Sequence, residues 1–228
     1  MSGALFRLDN RLALCASFVR EGTRLVDVGT DHAYLPVWLA RNGKIESAVA
    51  CDVRVGPLEN AKNNIQQYHT ETIVSAVLSD GLDKIDPENA LDIVMAGMGG
   101  ELIAKIIKKQ QWLCDNRRRL ILQPMTRAES LRLFLCENGF RIVNEKACVS
   151  GKKAYSVMVC EYDGIKREPD EEFQYIGLLA GNSSYEAKRY IHTVNEKLKK
   201  KLRAYDENSE AYQRLAILTK HFDGYINS

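Results

Sequence analysis

Between residues 24 and 162, short β-branched and aliphatic runs alternate with segments of helical periodicity, and no other feature of the chain restricts its fold as strongly. The runs RLVDVG (24–29) and SAVACDV (47–53) read as the first two strands. The third lies within 72–82, the fourth within LDIVMAGMGG (91–100), and the fifth is RLILQPM (119–125). Between them stand helical patterns at 34–43, closed by Gly43, at 56–68, with Pro57 in its first turn, at 101–113 and at 128–140. Such alternation implies a parallel sheet with helices on both faces. Two further strands, 141–149 and 154–162, are joined by the turn signal SGKK, so the sheet ends in a hairpin and is mixed.

A leading helix is expected over 7–19 by its apolar spacing. After Pro169 the strands stop. Ala187, Ile191, Val194, Leu198, Leu202 and Tyr205 are spaced by threes and fours, as are Ala211, Leu215, Leu218, Phe222 and Tyr225. Two amphipathic helices with a turn near 206–209 predict an antiparallel, coiled-coil-like hairpin, which must pack on the main unit or grip a ligand. The expected organisation is a Rossmann-like α/β domain over 1–165 and a helical hairpin over 166–228.

The 228 residues carry a net charge of only +2, so nucleic-acid binding would have to rest on local basic clusters. Three stand out: Lys105, Lys108 and Lys109; Arg117, Arg118 and Arg119; and Lys197, Lys199, Lys200, Lys201 and Arg203. Each is also compatible with a solvated helix face. Six cysteines form no CxxC pair and no zinc spacing, so buried free thiols and no metal are expected. No secretory signal or membrane-spanning run is read, which points to the cytoplasm, and a monomer is expected.

The chemistry-bearing residues fall at successive strand ends. Asp27, Gly29, Thr30, Asp31 and His32 form a strand–turn–helix junction. Gly29 allows backbone to approach a ligand, and the acids suit a cationic amino group better than a pyrophosphate. Asp31 could equally cap the helix. The turn lacks the GxGxxG of dinucleotide enzymes, which argues against a nicotinamide cofactor. Asp52 and Val53 end the second strand, where an acid can accept from ribose hydroxyls. Ser79, Asp80 and Gly81 follow the third strand; Asp-Gly is also an ordinary turn pair. Ala96, Gly97, Met98, Gly99 and Gly100 leave bare backbone against which a flat base could lie. Gln123 offers an amide to a base edge before Pro124 and Met125. Each feature alone has a plain structural explanation; their joint placement along one rim favours function.

The motifs DVGTDHAYLP, AGMGG and LILQP, with RLALCASFV and VGPLENAKNNI, resemble the bacterial tRNA (adenine(22)-N1)-methyltransferase family over residues 7–162. The resemblance implies a seven-stranded methyltransferase sheet, S-adenosyl-L-methionine (SAM) as cofactor and tRNA as substrate. Asp27, Gly29, Thr30, Asp31, His32, Asp52, Val53, Ser79, Asp80, Gly81, Ala96 and Gly97 then bind the cofactor, with Asp80 facing the adenine amino group. Gly97, Met98, Gly99, Gln123 and Pro124 are the candidate catalytic positions. The base is expected between the glycine loop and Gln123, near His32 or Tyr34, with Arg7 and Arg11 towards the mouth. A methyltransferase for small molecules or protein, or a non-catalytic RNA-binding module, is the competing reading.

Overall fold

The computed structural model describes residues 5–227. In chain order the elements are α1 (Asn10–Phe18), β1 (Thr23–Val28), α2 (Tyr34–Arg41), β2 (Ile45–Asp52), α3 (Val55–Gln67), β3 (Val74–Leu78), β4 (Asp92–Gly99), α4 (Gly100–Lys109), β5 (Arg119–Thr126), α5 (Ala128–Glu137), β6 (Phe140–Ser150), β7 (Lys153–Tyr162), α6 (Glu171–Ile176), α7 (Tyr185–Leu202) and α8 (Glu210–Asn227). The strands form one sheet in the order β3-β2-β1-β4-β5-β7-β6. The first five are parallel, and β7 runs antiparallel to both β5 and β6. Strand order reverses between β1 and β4, and an open α/β sheet binds ligands beyond the carboxyl ends at such a reversal.

Both faces of the sheet are covered, which is why the central strands read as continuous apolar runs rather than alternating ones. Leu25, Val94 and Ile121 pack towards α1, α2 and α3; their neighbours Val26, Ile93, Met95, Leu120 and Leu122 pack towards α4 and α5. Ile103, Ile106 and Ile107 seat α4 on that second face, each contributing roughly 1.5–3 kcal/mol by leaving water.

Three elements differ from the sequence expectation. The helix expected over 101–113 stops at Lys109, and a separate 3-10 turn covers Gln111–Leu113. Helix α1 starts at Asn10 rather than at 7, because the Asp9 carboxylate accepts from the Arg11 and Leu12 N–H groups and caps the first turn. The tail contains a short extra helix, α6, capped by Asp170, whose carboxylate accepts from the Phe173 N–H.

The hairpin α7–α8 closes on its own core of Ile191, Leu198, Leu215, Leu218 and Phe222. Ala187 and Tyr190 on α7 also join Ala154 and Leu179 in a second cluster against β6 and β7. Beneath them lies a fully buried ion pair, Arg132 to Glu145 at 2.7 Å. Arg132 donates to the Gln174 and Tyr175 carbonyls, both at 2.9 Å, and to the Ser156 and Tyr190 hydroxyls. Glu145 accepts from the Leu178 N–H at 3.0 Å. Burial opposes the charge on Arg132, but Glu145 and Tyr190 hold it above its usual range. The tail is therefore stitched to the sheet through one guanidinium. No helix among the described residues is long and apolar enough to cross a membrane.

Candidate active site

The carboxyl edge is built from turns that fasten one strand to the next. After β1, the Gly29 and Thr30 N–H groups both donate to the Cys51 carbonyl, at 2.8 and 2.9 Å. Gly29 has φ +74°, and a Cβ there would meet Met98 Sδ at 3.3 Å, so the first turn and the glycine loop touch. The Thr30 hydroxyl accepts from the Ala33 N–H and donates to Asp27. After β2, Asp52 Oδ1 accepts from the Arg54 N–H at 2.8 Å. The Ser79 N–H donates to the Asp52 carbonyl at 3.0 Å, tying the third strand end to the second.

Asp27 and Asp52 are 6% and 5% exposed. Burial pushes the Asp27 carboxyl up to about 6; the Thr30 hydrogen bond lowers it and the charge of Asp52 raises it. Asp27 has no ion-pair partner among the described residues, and Asp52 has only the exposed Arg54 guanidinium at 3.5 Å. Buried carboxylates without a cation are costly. A ligand carrying an ammonium and hydroxyl donors supplies what these two lack, so the residues present fit SAM.

Around this pair the rim is open. Asp31 is exposed, 3.3 Å from His32 Nε2, and Val53 is exposed beyond β2. The His32 ring stacks on Tyr34, which meets Phe6 edge-on, and Phe6 in turn meets Tyr68. Asp80 lies outward, its side chain 71% exposed and 3.6 Å from Lys109 Nζ, while Gly81 turns (φ +58°) above Ile106.

On the other side of the reversal, Gly97 has φ +81° and Ala96, Met98 and Gly99 are partly covered. Gln123 is fully buried. Its Oε1 accepts from the Gly97 N–H at 3.1 Å and from Arg11 Nη1 at 3.2 Å, and its Nε2 donates to the Pro124 carbonyl at 3.1 Å. The amide that the sequence offered to a base edge is thus engaged by protein groups, and the gap between Gly97 and Gln123 is closed by a hydrogen bond. In this arrangement Gln123 positions the glycine loop and Arg11. Arg11 is held further by Asp9 at 2.7 Å, lies 3.5 Å from Met125 Sδ, and sits over the Tyr155 ring at 5.7 Å.

Sequence reasoning missed Asp9 and Tyr155. Asp9 had a signal, an acid directly before an apolar-periodic run. Tyr155 had none, because only the pairing of β7 with β5 brings it to this edge. The basic clusters separate by partner. Lys109 pairs with Asp83 and Arg117 with Asp115, Arg119 pairs with Glu161, and Lys199 with Asp223. Arg118 is buried against Trp112 and donates to the Trp112, Pro87 and Ala90 carbonyls. Lys105, Lys108, Lys197, Lys200, Lys201 and Arg203 have no carboxylate within 4.0 Å among the described residues.

Comparison with known proteins shows what the chain is similar to. The methyltransferase domain family matches residues 8–158. A tRNA (adenine(22)-N(1))-methyltransferase of Bacillus subtilis (strain 168) is 34% identical over 166 residues, covering 70% of each chain. The crystal structure of a putative tRNA (m1A22) methyltransferase from Streptococcus pneumoniae superposes with a TM-score of 0.85 at 33% identity, covering 96% of this chain and 100% of that one. A structure of the same Streptococcus protein in complex with S-adenosyl-L-methionine gives 0.84 at 32% identity, with the same coverage.

Proposed function

The chain belongs to the tRNA (adenine(22)-N1)-methyltransferase family, and from that premise we propose that it transfers a methyl group from SAM to N1 of adenine 22 in tRNA, giving 1-methyladenosine. The observation that carries the reading is the pair of buried carboxylates without a full cationic partner, Asp27 and Asp52, on either side of Gly29 at the strand-order reversal. Residues 1–165 act as the transfer unit and 166–228 as the tRNA-gripping hairpin, and the cytoplasm is the compartment this reading assigns to the reaction.

SAM supplies an electrophilic methyl on a sulfonium. Asp27 holds its amino group, Asp52 accepts from the ribose hydroxyls, and the backbone of Gly29, Thr30 and Ala96 lines the cofactor's length. Asp31, His32, Val53, Ser79 and Gly81 border it, with Asp80 as acceptor for the adenine amino group. The adenine acceptor has a lone pair and no proton at N1, so no base is needed before attack. The chain's contribution is alignment of N1 with the methyl group, in which positioning counts most. Gly97, Met98, Gly99 and Pro124 form the wall against which the base rests, and Gln123 fixes the Gly97 N–H. N1 lies on the pairing edge, so the target nucleotide must be unpaired or extruded.

Incubation with labelled SAM and unmodified tRNA, followed by nucleoside analysis, tests this. Label is expected in 1-methyladenosine at one position. Label confined to a different nucleoside rejects the assigned reaction.

A further inference from the structure

Beyond the glycine loop the carboxyl edge does not end. A cleft of about 280 Å³ opens between the end of β5, the start of β7 and helix α7. It shares Pro124 with the transfer site, and Tyr155 forms part of its wall while also lying under Arg11. Tyr175 and Tyr190 complete an aromatic lining. At the rim stand Lys197 and Lys201, one helical turn apart on α7, neither with a carboxylate within 4.0 Å among the described residues. The acid at the rim, Glu129, is met by Arg127 at 3.5 Å.

Aromatic side chains in a recess, with cations free of carboxylate partners at its mouth, are what an unstacked nucleotide needs: a face for the base and charge for the phosphate. Tyr190 is largely buried and holds Arg132, so Tyr155 and Tyr175 are the rings a base would meet. Resting on the methyl-transfer reading, we propose that this cleft is a second nucleotide subsite. It takes the base of a ribonucleotide next to the methylated adenine, with that nucleotide's phosphate on Lys197 and Lys201. Pro124, common to both, makes the two sites continuous, so a strand presenting its target to the glycine loop reaches the cleft with the adjoining residue. The recess also exists only because the hairpin docks on β6 and β7, which gives the tail a part in substrate selection.

The test uses the full-length enzyme and tRNAs with a single 4-thiouridine directly 5′ or 3′ of the target adenine. After irradiation, the cross-linked peptide is expected to contain Tyr155 or Tyr175. Cross-links from both neighbours that fall only outside the cleft overturn the proposal. In parallel, the double variant Lys197→Glu, Lys201→Glu changes two exposed side chains. It is expected to raise KM for tRNA about tenfold or more, with SAM affinity within about twofold of the parent by calorimetry. Tyr155→Leu is expected to raise KM about tenfold. Unchanged KM in both variants, with 1-methyladenosine still formed, removes the subsite and leaves the methyl-transfer reading standing. Failure of the unmodified enzyme to form 1-methyladenosine removes that reading, and the subsite with it.

Discussion

Asp27 shows how burial at one residue becomes a ligand requirement. Its carboxyl titrates near 3.8 when unfolded and is pushed up to about 6 in the fold, chiefly by burial. A raised carboxyl stabilises the fold fully below about pH 4, and that contribution is lost as pH climbs through about 6, where the buried group must ionise. A bound ammonium reverses the preference and favours the carboxylate. SAM binding near pH 5.5 is therefore expected to release a proton from Asp27, and affinity should rise between about pH 5 and 7 and then level off. Calorimetry in two buffers of different ionisation heat measures the proton directly, and Asp27→Asn should abolish its release. Heats that do not depend on buffer would mean that Asp27 does not face the cation.

At the scale of elements, the edge depends on β4 passing into α4 without a connecting loop. The joint is Gly100. A Cβ there would stand 2.3 Å from the Arg127 carbonyl oxygen and 2.9 Å from its carbon. Both are backbone atoms at the start of α5, where Arg127 already holds φ 57°. Neither can move without displacing the helix. Gly100→Ala is expected to destabilise by about 3 kcal/mol in urea denaturation. Gly56, within α3, has nothing within 4 Å of its added Cβ. Gly56→Ala should instead stabilise by roughly 0.5–1 kcal/mol. A similar response of the two variants would contradict the close approach of β4–α4 to β5–α5.

For the whole molecule the decisive contact is Arg132. It links α5, β6, β7, the segment 174–175 and α7 through five hydrogen bonds. Arg132→Met leaves Glu145 buried without its cation, which typically costs about 3–5 kcal/mol. Hydrogen exchange is expected to accelerate in α6 and the first turns of α7 more than in β1–β4. Methylation of tRNA should fall while SAM affinity stays within about twofold, because Asp27 and Asp52, the carboxylates assigned to the cofactor, lie on β1 and β2, across the sheet's reversal from Arg132. Uniform acceleration across the sheet would show instead that tail and sheet unfold as one unit.

The alternation of strands and helices, the turn glycines, and the acids at the ends of β1 and β2 were readable from the chain, because periodicity and turn chemistry act over a few residues. The helical hairpin was readable for the same reason, and so was the family, since its motifs are short and ordered. Tertiary structure alone decided the rest. Gln123 faces inward because Gly97 and Arg11, far away in sequence, compete for its oxygen. Arg118 is buried, although it stands in a run of three arginines that reads as surface. Arg132 finds Glu145, and Tyr155 finds Arg11, only after β7 inserts between β5 and β6. Local pattern sets which segments become strands and helices, whereas the pairing of distant side chains is settled only when those segments pack.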